Sequence, residues 1–116
     1  MVEASQIREI LSLYRKHGWR LERILWSEAL REKVGGELTP DFGNAETVLS
    51  EIDAAWFSRP AQNGGATWEL RHLSANPYAL LEVFDADDDE DVREEALMEI
   101  EEKIKESVSK RKKEGH

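Results

Sequence analysis

The chain has 116 residues, 25 acidic against 16 basic side chains, a formal net charge of −9 and no cysteine. That length suits one domain with a modest core, and the lack of cysteine excludes disulfides and thiolate chemistry. The acidic balance argues against nucleic acid as a partner, since broad phosphate-backbone binding calls for a basic face.

No apolar run approaches the roughly 18 residues of a membrane span, so no membrane partner is expected. The N-terminus lacks the basic-then-apolar pattern of a signal peptide, which points to a cytoplasmic location. The acid is unevenly placed. Residues 85–116 carry 13 acidic and 7 basic side chains, and residues 1–84 carry 12 and 9. A single domain is expected over residues 1–112, with 113–116 as a disordered tail.

Ser5 is the expected N-cap of a first helix running to His17. Ile7, Ile10, Leu11 and Tyr14 recur at helical spacing and form one apolar stripe. Lys16 and His17 suit a helix C-terminus, and Gly18 suits the position after it. Trp19–Ser27 is ambiguous. Trp19, Leu21, Arg23 and Leu25 alternate like a strand, and Leu21, Ile24 and Leu25 could also mark a helix. The glycine stop at Gly18 with the tryptophans at both ends favours the strand. Glu28–Val34 could form a short helix ended by Gly35-Gly36. Residues 37–44 read as loop. Residues 45–52 fit either a helical turn or an extended lead into the next strand.

Residues 53–84 read as three consecutive strands. Ala54–Arg59 holds Trp56 and Phe57, which suit a half-buried pleated surface, and Pro60 ends it. Gln62-Asn63-Gly64-Gly65 is a turn signal, because Asn and Gly accept positive φ at low cost. Thr67–Leu73 alternates, with Trp68, Leu70 and His72 on one side and Thr67, Glu69, Arg71 and Leu73 on the other. Ser74-Ala75-Asn76-Pro77 is a second turn signal, and Tyr78–Phe84 is the third strand. Loops this short favour antiparallel neighbours. After Phe84, Val92, Ala96, Leu97, Ile100, Ile104 and Val108 mark a long helix over about 89–112, capped by one of Asp87, Asp88 and Asp89. The expected fold is α+β: an antiparallel sheet of about four strands, with the N-terminal helix and the long C-terminal helix packed on one face.

No catalytic or cofactor motif is complete, and neither a catalytic residue nor a cofactor is assigned. The run Asp85–Asp91 fails as a calcium loop, because Glu90 and Ala96 stand where Gly and Glu are needed. An acidic helix N-terminus explains it. Asp53 followed by Glu69-Leu70-Arg71 resembles the acid and Glu-x-Lys pattern of restriction-endonuclease-like nucleases, whose carboxylates hold a divalent ion. Arg71 replaces the lysine and cannot readily move a proton. No crossover helix fits between Leu73 and Tyr78, where that fold has one. The plainer reading is ion pairing among Arg59, Glu69, Arg71 and Glu82 on a solvated sheet face. His17 and His72 stand at no recognisable catalytic spacing. Lys110–Lys113 reads as a solvated helix end.

Four tryptophans, Trp19, Trp26, Trp56 and Trp68, supply core packing or an interface with aromatic and arginine anchors. Arg59, Trp68, Glu69, Arg71 and His72 form the candidate ligand-binding set. The phrases GWRLERILWS (18–27), IDAAWFSRP (52–60), WELRHLS (68–74) and NPYALLEVFD (76–85) resemble a group of small uncharacterised bacterial proteins. That resemblance implies a bacterial, cytosolic protein and no particular activity. The leading expectation is a small non-enzymatic binding or protein-interaction domain, meeting a protein partner or a second copy through its last helix. The alternatives are the nuclease-like fold and a small-ligand site over the sheet.

Overall fold

The first helix, α1 (Ala4–Lys16), starts one residue before the expected cap. The Glu3 backbone N–H is taken up by the Gln6 side chain at 2.8 Å, so the start needs no Ser5 cap. The computed structural model describes residues 3–61, 64–73 and 79–114, with side chains through Ser107. At the far end of α1, Gly18 adopts φ +85°, a conformation that strains residues with a Cβ. The Trp19 N–H then donates to the Tyr14 carbonyl at 2.9 Å, and the Gly18 N–H to that of Arg15 at 3.1 Å. This paired closure is a Schellman motif. It folds Trp19 back so that its ring lies 5.9 Å from that of Tyr14.

Strand β1 (Arg20–Trp26) follows, then α2 (Glu28–Leu38) and a 3-10 turn over Thr39–Phe42. Gly35-Gly36 does not stop α2. A Cβ at Gly35 would lie 3.7 Å from the Trp26 ring, so the helix packs closely on β1 here. Leu38, one turn further on, is fully buried. Packing of that last turn outweighs the weak helix propensity of glycine. The segment then returns as β2 (Glu46–Leu49), which pairs in parallel with β1. A helical crossover is what a parallel neighbour requires, so the residues expected to be loop and lead-in form a β1–α2–β2 unit.

Strands β3 (Ala54–Pro60), β4 (Ala66–His72) and β5 (Ala79–Phe84) form the antiparallel meander. Pro60 is the last residue of β3 rather than the first beyond it. The sheet has five strands in the order β2-β1-β3-β4-β5. The turn expected at 74–77 and residue Tyr78 lie outside the described residues, as do Gln62 and Asn63. Helix α3 (Glu90–Glu114) follows β5 and runs past the expected end at Lys112. Its start is capped by Asp89, whose carboxylate accepts the Val92 N–H at 2.9 Å. The fold is α+β, with a five-stranded, mostly antiparallel sheet between an N-terminal and a long C-terminal helix.

The two helices do not share a face. On one face, Ile7 and Leu11 of α1 and Leu30, Val34 and Leu38 of α2 pack on Ile24, Ala55 and Phe57. On the other, Leu97, Ile100 and Ile104 of α3 pack on Leu25, Ala54, Trp56, Trp68 and Leu70. Alternation along β3 places Ala54 and Trp56 opposite to Ala55 and Phe57. All four are buried, so a helix on one face alone would leave an apolar face in water. Arg23 adds a tie on the second face, reaching Glu46 on β2 at 3.2 Å and Glu94 on α3 at 3.1 Å.

Candidate functional site

Helices α1 and α2 crowd onto the β1–β3 half of their face. Among the described residues, nothing comparable covers the β4–β5 half. Register pairs Thr67 with Val83, Glu69 with Leu81 and Arg71 with Ala79, so these six share the open surface. Leu81 and Val83 are 53% and 57% exposed, and Leu13 on the adjoining rim of α1 is 54% exposed.

A cleft of about 340 Å³ lies where α1 meets this surface, lined by Leu13, Tyr14, His17, Trp19, Arg59 and Glu69. The glycine closure of α1 presents Tyr14 and Trp19 side by side there. Tyr14 also stacks on Phe57 at 4.0 Å between ring centroids. Its phenol donates to the Glu69 carboxylate. Burial, then the hydrogen bond to Glu69, push the phenol well above its ordinary value. The Arg59 guanidinium lies 4.6 Å over the Trp19 ring, a cation–π arrangement. Arg59 also lines a second cleft of about 470 Å³, with Thr67, Val83, Gly65 and Asp85. It therefore stands between two adjoining depressions. Arg71 donates to the His72 carbonyl at 2.6 Å. Among the described residues, neither Arg59 nor Arg71 has a carboxylate within ion-pair distance.

Of the five residues expected to form the site, the structure brings Arg59, Glu69 and Arg71 to one surface. Trp68 and His72 belong to the opposite face, because strand alternation sends them there. Trp68 is buried under α3, with Trp56 at 6.1 Å and the Arg93 guanidinium at 5.4 Å. Glu82 pairs with Trp68 and shares that face, so it cannot join the expected ion-pair group. Tyr14, Leu13 and His17 were not among the expected site residues. The signal that could have found Tyr14 and Trp19 is Gly18, since the closure it permits brings the residue after it against the last turn.

The nuclease-like constellation is not formed. Asp53 accepts the Ser27 N–H at 2.7 Å, and its carbonyl accepts the Leu73 N–H at 2.8 Å. Glu69 lies opposite Phe57, four residues along β3 from Asp53. At strand rise that is roughly 13 Å, too far for one ion to bridge. No cluster of three or more His, Asp or Glu among the described residues could hold a metal ion. Of the acidic run, Asp89 caps α3, and the Asp88 carboxylate accepts the Asp85 N–H at 2.9 Å in the turn leading into the helix. No helix among the described residues is long and apolar enough to cross a membrane.

No family model, curated protein or solved structure matches the chain.

Proposed function

We propose that the chain is a non-catalytic interaction domain that docks an extended, acidic and aliphatic segment of a partner protein across the open β4–β5 face. The observation that carries this reading is Arg59. It is held over Trp19 between two adjoining clefts, without a carboxylate partner among the described residues, in a chain with nine more acids than bases. A guanidinium held this way offers charge-assisted hydrogen bonds to an incoming carboxylate. The exposed Leu13, Leu81 and Val83 offer apolar contact beside it. Arginine and aromatic anchors flanked by aliphatic area are typical of interaction surfaces.

The test is an NMR titration of the labelled protein. One probe is a capped eight-residue peptide alternating valine with glutamate; the other has lysine in place of glutamate. The glutamate peptide should shift the Trp19 indole N–H and the Thr67, Glu69 and Val83 amides. Arg59→Ala should weaken it about tenfold, the scale of one charge-assisted hydrogen bond. Equal shifts with the lysine peptide, or none with either, would overturn the reading.

A further inference from the structure

We propose that the Tyr14 hydroxyl keeps Glu69 from pairing with Arg59, and so holds Arg59 free for the partner's carboxylate. The inference rests on the docking reading and deepens it. It starts from register. Phe57 lies opposite Glu69, and Arg59 lies opposite Thr67. Phe57 and Arg59 are two apart on β3, so Arg59 and Glu69 share a face as diagonal neighbours. Their backbones lie about 7–8 Å apart, within reach of two long side chains. Both line the cleft at α1. Opposite charges so placed attract. Among the described residues, neither has an ion-pair partner.

Each is held instead by an aromatic residue of the α1 closure. The Tyr14 phenol donates to a Glu69 carboxylate oxygen, and the Arg59 guanidinium lies 4.6 Å over the Trp19 ring. Tyr14 is fixed in its turn. Its ring stacks on Phe57 at 4.0 Å between centroids and lies 5.9 Å from that of Trp19. A hydroxyl on a ring held this way does not follow the carboxylate towards Arg59; it keeps the carboxylate where it is. Arg71, the other cation on this face, already donates to the His72 carbonyl at 2.6 Å. That leaves Arg59 as the cation a released Glu69 would take up. Glu69 would then compete with an incoming carboxylate for one guanidinium. An exposed ion pair is worth at most about 1 kcal/mol, which is about fivefold in affinity. Loss of the hydroxyl should therefore weaken docking about threefold to fivefold, less than loss of Arg59 itself.

A double-mutant cycle on the full chain tests this, read with the valine–glutamate peptide. Tyr14→Phe should weaken binding about threefold to fivefold. Glu69→Gln should strengthen it by a larger factor in the Tyr14→Phe background than in the native one, because only there is the carboxylate free to compete. A merely structural loss at Tyr14 would not be recovered by changing Glu69. A second readout needs no peptide. The Arg59 Nε–H resonance, assigned by its loss in Arg59→Lys, should move in Tyr14→Phe and return close to its native position in the double variant. Equal gains from Glu69→Gln in both backgrounds overturn the proposal. So does an Arg59 resonance that stays in place in Tyr14→Phe, or movement of the Arg71 resonance alone. A native chain that ignores the peptide would sink the docking reading, and the Arg59 resonance would still decide whether Tyr14 holds the pair apart. Peptide binding that Tyr14→Phe leaves unchanged would sink the role given to Tyr14 and leave docking standing.

Discussion

The Tyr14 phenol donates to the Glu69 carboxylate and so ties the last turn of α1 to the middle of β4. It is a hydrogen bond between elements 55 positions apart in sequence, and it closes the floor of the cleft beneath Trp19 and Arg59. Tyr14→Phe keeps the stacking on Phe57 and removes only this bond. The expected cost is about 1–2 kcal/mol, the scale of one side-chain hydrogen bond. Urea unfolding at neutral pH measures it.

The same contact gives a pH signature. Burial first, and then Glu69, raise the phenol above its ordinary value near 10. The folded chain holds the proton more tightly than the unfolded chain. The stabilisation is therefore complete below pH 10 and is lost as pH climbs through the raised folded value. Thermal unfolding from about pH 8.5 to 11.5 should show the native chain losing stability faster than Tyr14→Phe. In an absorbance titration of phenolate, one of the two tyrosines should ionise above the ordinary range.

Glu101 should behave as a mild destabiliser at neutral pH. Burial raises its carboxyl, and the Trp56 indole, Arg23 and Lys105 only partly offset that rise. A carboxyl raised in the folded state favours folding below its unfolded value and loses that contribution as pH rises through the folded value. Glu101→Gln keeps an acceptor for the Trp56 N–H, at 3.4 Å in the native chain. The variant should be the more stable protein at pH 7, and the gap should close towards pH 4. Denaturation midpoints at the two pH values decide it.

Gly65 and Phe84 set the far corner of the open face. A Cβ at position 65 would lie 1.9 Å from the Phe84 carbonyl oxygen. Gly65→Ala must push the β3–β4 connection away from β5 and should cost about 2 kcal/mol or more. Gly64→Ala has room but a φ of +79°, so about 1 kcal/mol is expected. Hydrogen exchange should show the Gly65 variant losing protection first in β5.

Leu97→Ala tests whether α3 is part of the core. Leu97 is fully buried against the face that carries Trp56 and Trp68. Truncation should cost about 2–5 kcal/mol, read by tryptophan fluorescence during urea unfolding. A loss below 1 kcal/mol would mean that α3 is loosely held and free to meet a partner.

Much of the scaffold was legible in the chain. The apolar stripe Ile7–Tyr14, the glycine after it, the alternation of residues 67–73 and the acid-led periodicity of α3 follow from local geometry, whose periods are those of helix and strand themselves. The class, the meander and the surface shared by Arg59, Glu69 and Arg71 follow from that pattern. Tertiary structure decided three other things. Gly35-Gly36 stays helical because Trp26 packs closely against it and Leu38 is buried beyond it. Residues 46–49 become a strand because β1 offers a free edge in parallel. And α1 and α3 take opposite faces because β3 is apolar on both sides, so each face needs its own cover. Which half of a face then stays open depends on where α2 must lie to return from β1 to β2, a constraint of connectivity that no local period contains.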